Sequence, residues 1–202
     1  LEGVVARPDP VSAPDARRFA EAMAEDAVAL GVSRQRREPP VSLRFDELPP
    51  PEAANVHRLA VAIGATADGP LIVDLVADGP HAVIGGTTGS GKSELLITWA
   101  TALAAAATPE QTLLLLFDFK GGATFGALAD VPHVVGLVTD LDEVTASRAF
   151  ESLRAELRHR ERWLQENGLR DIRDARSGAM PRLVIMVDEF AAMIETFPEL
   201  HR

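Results

Sequence analysis

Cysteine does not occur in the 202-residue sequence, which removes disulfides, thiolate metal sites and a cysteine nucleophile from consideration. A chain without cysteine suits a reducing cytoplasm. Lysine is almost missing as well: Lys92 and Lys120 are the only two, and the other eighteen basic residues are arginine. Positive charge is scarce overall, with 20 Lys and Arg against 30 Asp and Glu and a formal net charge of −10. That balance argues against a broad nucleic-acid-binding surface, although it leaves room for a local basic loop. No long hydrophobic run is present either. The most apolar stretch, Leu95 to Ala107, is interrupted by threonine and falls short of the roughly 20 residues that a membrane span needs. The opening LEGVVARPDP lacks an apolar core behind a basic end and so does not read as a secretory signal. A soluble segment is expected. The five histidines, His57, His81, His133, His159 and His201, lack metal-ligand spacing and read as structural or surface residues. Trp99 and Trp163 fall within predicted helices and read as packing residues. The first residue is not Met, and the closing PELHR follows closely on a motif that normally sits mid-domain. The sequence is therefore expected to be a piece of a longer protein.

What is present is a globular composition, 47% hydrophobic and 25% charged, with enough length to bury a core. Residues 1–50 read as an appendage, an N-terminal helix followed by a Pro-rich linker. Ser12 with Asp15 forms a capping-box pattern, and Phe19, Met23, Ala27 and Leu30 follow at helical spacing until Gly31. RQRREPP and ELPPPE are linker-like, since proline removes donors and fixes extended backbone. Arg34, Arg36 and Arg37 read as a solvated stretch of that linker. Residues 51–202 form the main domain. LAVAIG (59–64) and LIVDL (71–75) flank ATADGP and predict a β-hairpin. HAVIGG (81–86) predicts a short strand, and Ser93 to Ala107 a helix. TLLLLFD (112–118), HVVGLVTD (133–140) and RLVIMVDE (182–189) predict further strands, the first of the buried, parallel type. Asp140 with Glu143 makes a second capping-box pattern. The helix after it carries Phe150, Leu153, Leu157 and Leu164 on one face. Its polar face holds Arg154, Arg158, Arg160 and Arg162, but residues 142–166 contain five Arg against six Asp and Glu. The pairs Glu156–Arg160 and Arg162–Glu166 lie four apart, so a solvated, self-neutralised face is expected rather than a DNA patch. The element order indicates an α/β fold with a mainly parallel sheet.

Two motifs carry chemistry. Residues 86–93, GTTGSGKS, match the phosphate-loop pattern G-x-x-x-x-G-K-[ST]. Glycines let backbone N–H groups turn inward around phosphates, and a helix N-terminus adds partial positive charge. Gly86, Thr87, Thr88, Gly89, Ser90, Gly91, Lys92, Ser93 and Glu94 are the candidate nucleotide-binding residues. Lys92 is a compact charge for the β- and γ-phosphates, and Ser93 offers a hydroxyl to Mg²⁺. The second motif is the apolar strand ending in Asp188 and Glu189, the Walker B form. Asp188 is the second candidate Mg²⁺ residue, and Glu189 the candidate for orienting and polarising the attacking water. Lys92 and Glu189 are thus the catalytic candidates, with ATP and Mg²⁺ the implied cofactors. Neither lysine lies in the N-K-x-D motif of guanine readers, and no LSGGQ-type segment appears. A parallel sheet would bring Asp118 and Lys120 of DFKGG to the same C-terminal edge, which makes them accessory candidates. Lys120 is left open between a nucleotide or subunit contact and a local pair with Asp118.

From about residue 59 onward the chain resembles the FtsK/SpoIIIE family of motor ATPases, through HAVIGGTTGSGKSELL, LLLFDFKGG, PHVVGLVTD and LVIMVDEFAAM. The resemblance implies a RecA-like phosphate-loop core, incomplete here at its C-terminus. It also implies assembly into a homo-oligomeric ring, with ATP hydrolysis used to move a polymer. DFKGGATF together with GSGKSELL is similar to the EccC-type ATPases of type VII secretion, whose cargo is a secreted helical-hairpin protein. DNA pumps usually carry a D-P-K type of sequence at this point. The resemblance implies a cytoplasmic site at the inner face of the cell membrane, with any membrane attachment made by parts outside this sequence. A double-stranded DNA translocase and a non-hydrolysing regulatory module are the alternative readings.

Overall fold

The computed structural model describes residues 12–30, 39–50, 57–119, 124–139, 143–176 and 179–197. The chain divides into two compact units, residues 1–39 and 40–202. In the first, helix α1 spans Ala13–Ala29. The Asp15 N–H donates to the Ser12 hydroxyl at 3.3 Å, which is the N-cap half of the expected box, and the Asp15 carboxylate accepts from that hydroxyl. Phe19, Met23 and Leu30 are exposed. Gly31, Arg34, Arg36 and Arg37 lie outside the described residues.

In the second unit a 3-10 turn at Phe45–Glu47 precedes the hairpin of β1 (Ala60–Thr66) and β2 (Gly69–Asp74), paired antiparallel with Thr66 opposite Gly69. The Thr66 hydroxyl closes the turn by accepting from the Asp68 N–H and donating to the Gly69 carbonyl. Asp74 then clamps the exit of the hairpin. Its Oδ1 accepts from the N–H groups of Leu59 and Val76 at 2.9 Å and of Ala77 at 3.3 Å, while Arg58 approaches Oδ2 at 3.4 Å. Burial pushes the Asp74 carboxyl up, but those backbone donors and the guanidinium outweigh it and hold the group below the ordinary carboxylate range.

HAVIGG departs from its sequence reading. Residues 81–87 carry no strand ladder among the described residues, and Val83 is fully exposed. An apolar run supplies the side chains of a strand, but a ladder also needs a neighbouring backbone, and no described strand takes that place. The chain goes on to α2 (Lys92–Ala106), β3 (Thr112–Asp118), β4 (Val134–Val138), α3 (Glu143–Glu166), β5 (Arg182–Asp188) and α4 (Phe190–Thr196). The last three strands form a parallel sheet in the order β4-β3-β5, as the fold-class reading expected.

Alternation along β3 sorts the core into two clusters. Leu114 and Leu116 pack with Leu59, Val61 and Ile63 of the hairpin region and with Trp99, Ala100 and Leu103 of α2. Phe117 and Phe119 pack with Ala146 of α3 and Met193 of α4. Phe150 stacks on Phe117 at 5.6 Å and meets Phe197 edge-on at 5.5 Å. Trp99 is thus a packing residue. So is His133, buried with Nε2 2.7 Å from the Ala107 carbonyl. On α3 the Glu156–Arg160 pair forms at 2.7 Å, but Arg160 is not simply solvated. It is largely buried and donates to the Pro181 carbonyl at 2.6 Å, fastening α3 to the start of β5. Leu157, expected on the apolar face, is half exposed. Asp140 lies outside the described residues. None of the helices described is long and apolar enough to cross a membrane.

Candidate functional site

The phosphate loop is shaped by two kinds of glycine. Gly89 (φ +78°) and Gly91 (φ +90°) take left-handed backbone, which any Cβ would strain. Gly86 lies close to Ser90: a Cβ there would sit 2.4 Å from the Ser90 hydroxyl oxygen and 3.3 Å from its Cβ, so Ser90 would have to shift. Gly91 caps α2, whose first helical bond runs from the Leu95 N–H to the Gly91 carbonyl at 2.9 Å. The amides ahead of Leu95 stand at the positive end of the helix dipole, the geometry that receives anions. Lys92 folds back over the loop and donates from Nζ to the Thr87 carbonyl at 3.0 Å.

The end of β5 meets this loop. Ser93 donates its hydroxyl to Asp188 Oδ2 at 2.7 Å, joining residues 95 apart in sequence. Asp188 is buried, 3% exposed, and its Oδ1 accepts from the N–H of Glu189 at 2.9 Å. Glu189 has left the strand. At φ +55° and ψ +46° it is the one non-glycine residue with positive φ among those described, and it caps α4. Strain at a polar residue of this kind persists only where the surroundings enforce it. Thr88, Gly89, Gly91, Lys92, Ser93, Glu94 and Glu189 line one shared cleft. The expected juxtaposition of the two motifs is therefore present.

The β3–β5 register sets Asp118 directly beside Asp188 at the same edge of the sheet. Asp118 is fully buried, and its Oδ2 accepts from the Thr124 N–H at 2.7 Å. Thr124 in turn donates its hydroxyl to Asp188 Oδ2, also at 2.7 Å. Sequence reasoning missed Thr124, and only its position six residues beyond Asp118 in a Gly-rich turn hints at such a loop closure. Lys120 lies outside the described residues.

These donors fit a magnesium nucleotide. Gly86 leaves a space that a Cβ would fill, and Ser93 and Asp188 converge as hard oxygen donors. Among the described residues no group of three or more His, Cys, Asp or Glu could hold a metal. A two-oxygen protein site is what Mg²⁺ requires when phosphates and water complete its shell.

The FtsK/SpoIIIE family profile matches residues 47–196. The chain belongs to the FtsK/SpoIIIE family. Its relatives include type VII secretion system proteins. The ESX secretion system protein EccC of Thermomonospora curvata is 41% identical over 160 residues, covering 71% of this chain and 12% of that protein. The type VII secretion system protein EssC of Staphylococcus aureus is 38% identical over 131 residues, 61% of this chain and 9% of that protein. The chain thus spans only about a tenth of the curated relatives it matches. Among solved structures, the cytoplasmic domain of the T. curvata EccC ATPase superposes with a TM-score of 0.67 at 37% identity, over 79% of this chain and 20% of that one. The conjugation coupling protein TcpA of pCW3, in its monomer form with ATPγS, reaches 0.53 at 20% identity, over 88% of this chain and 53% of that one. That second likeness bears on the fold alone. This FtsK/SpoIIIE ATPase domain has the α/β phosphate-loop architecture of these neighbours.

Proposed function

We propose that the chain is an ATP-hydrolysing motor domain that powers a type VII-like protein secretion machine. The observation that carries the reading is the 2.7 Å bond between Ser93 and Asp188, which joins the phosphate loop to the acidic strand end at one point. In this reading the loop amides and Lys92 bind the phosphates, Lys92 exchanging the Thr87 carbonyl for phosphate oxygens. Ser93 and Asp188 hold Mg²⁺, whose charge offsets that developing on the transferred phosphoryl group. Glu189, at the rim of the same cleft, orients the attacking water and takes its proton.

Secretion rather than DNA pumping is supported by the EccC and EssC relatives and by the acidic balance of the sequence. A homo-oligomeric ring in the parent protein, at the inner face of the cell membrane, belongs to the same proposal. Its cargo is a helical-hairpin export substrate, in keeping with an EccC structure described as bound to a signal-sequence peptide. The test is ATP turnover by the full-length parent protein with and without each cargo. Export substrate is expected to raise the rate and duplex DNA to leave it unchanged. The reverse pattern makes the protein a DNA translocase. Glu189→Gln is expected to keep MgATP binding and to lose about 10²–10⁴ in turnover. Unchanged turnover would remove Glu189 from its role, and a parent that binds ATP without hydrolysing it would be a regulatory module.

A further inference from the structure

We infer that Thr124 is a positioning residue for the metal-binding carboxylate Asp188, and that Asp118 is the anchor that holds Thr124 in place. The inference rests on the nucleotide reading of the site above and deepens it. Asp188 Oδ2 accepts two hydroxyls at once, from Ser93 and from Thr124, each at 2.7 Å. Ser93 would also offer its oxygen to Mg²⁺, and a hydroxyl that does so keeps its proton and can go on donating to Asp188. Thr124 adds a second donor to the same oxygen, held from outside the phosphate loop, and so aims Oδ2 independently of that loop.

The anchoring of Thr124 is what makes it effective. Its N–H donates to Asp118 Oδ2 at 2.7 Å, while its side chain reaches Asp188. One residue therefore spans from the end of β3 to the end of β5, with both carboxylates buried and in register. Thr124 is itself 8% exposed, so water does not readily replace its hydroxyl. Partners that orient a metal ligand in this way typically change metal affinity by about 10- to 100-fold when removed.

The experiment uses the full 202-residue chain and the binding of a fluorescent ATP analogue, measured in EDTA and across a Mg²⁺ titration, with Tm as a control. Thr124→Val keeps the shape and deletes the hydroxyl. It is expected to raise the Mg²⁺ concentration at half-effect about 10-fold, with binding in EDTA and Tm nearly unchanged. Thr124→Ser restores the hydroxyl and is expected to stay within about twofold of the parent. An unchanged Mg²⁺ midpoint in Thr124→Val overturns the inference and leaves the nucleotide reading intact. Equal losses with and without Mg²⁺, a collapse of folding, or failure of Thr124→Ser to rescue assign Thr124 a structural role and overturn it as well. A parent chain with no Mg²⁺-dependent binding overturns the nucleotide reading itself, and this inference with it.

Discussion

Glu189 carries a conflict between stability and the proposed chemistry. A left-handed conformation costs an L-residue roughly 1–2 kcal/mol, and Glu189 sits there at φ +55°. Glu189→Gly relieves that strain but adds about 0.5–1 kcal/mol of backbone entropy cost. The net of the two is a gain of between zero and about 1.5 kcal/mol, a Tm rise of at most about 6 °C. Turnover by the full-length parent protein is expected to fall as in Glu189→Gln, by about 10²–10⁴. A clear loss of stability would mean that the carboxylate makes contacts worth more than the strain. At Gly86 the sign is opposite. A methyl group there meets Ser90 at 2.4 Å, so Gly86→Ala is expected to weaken ATP analogue binding more than about 10-fold. Isothermal titration reads the loss directly. Both residues were visible in the sequence as motif members, but the strained backbone of Glu189 was not. Nor was Thr124, because its bonds join positions 6 and 64 apart and no local pattern records such a meeting.

At the scale of elements, Asp74 is an acid-sensitive joint. Its carboxyl titrates lower in the folded chain than in the unfolded one, so its contribution is complete above the unfolded value of about 4 and fades as pH falls through the folded value. Asp74→Ala leaves the buried N–H of Leu59 and the partly buried N–H groups of Val76 and Ala77 without their acceptor. A loss of about 2–3 kcal/mol at neutral pH is expected. The gap between variant and parent is expected to narrow below about pH 4, as thermal melts at several pH values would show. Arg160→Ala tests the link from α3 to β5, with an expected loss near 1 kcal/mol, or about 2–4 °C in Tm. The strands β3 and β5 were legible because each is a continuous apolar run of strand length, and the hairpin because Asp68 and Gly69 mark its turn. HAVIGG was misread for a physical reason. Composition reports what a segment would bury, while a strand is defined by the backbone beside it.

For the molecule as a whole, the sheet has one consequence for handling. Among the described residues β5 pairs only with β3, so its other edge is open, with Ile185 40% exposed. An apolar open edge is a template for pairing with another chain. The 202-residue chain alone is expected to self-associate, and Ile185→Lys to shift it toward monomer in light scattering after size exclusion. Unchanged oligomers would locate the contact elsewhere.

The unladdered run 81–87 also sets a clock. Amides outside a ladder exchange with solvent on the fast side of the range set by local opening, well ahead of those in β3. The loop that follows, however, is the part expected to close around phosphates. Hydrogen exchange over seconds to minutes would then register nucleotide as a slowing confined to residues 82–93, against a sheet that keeps its own pace. A run with no ladder of its own is in that sense an informative reporter of the site.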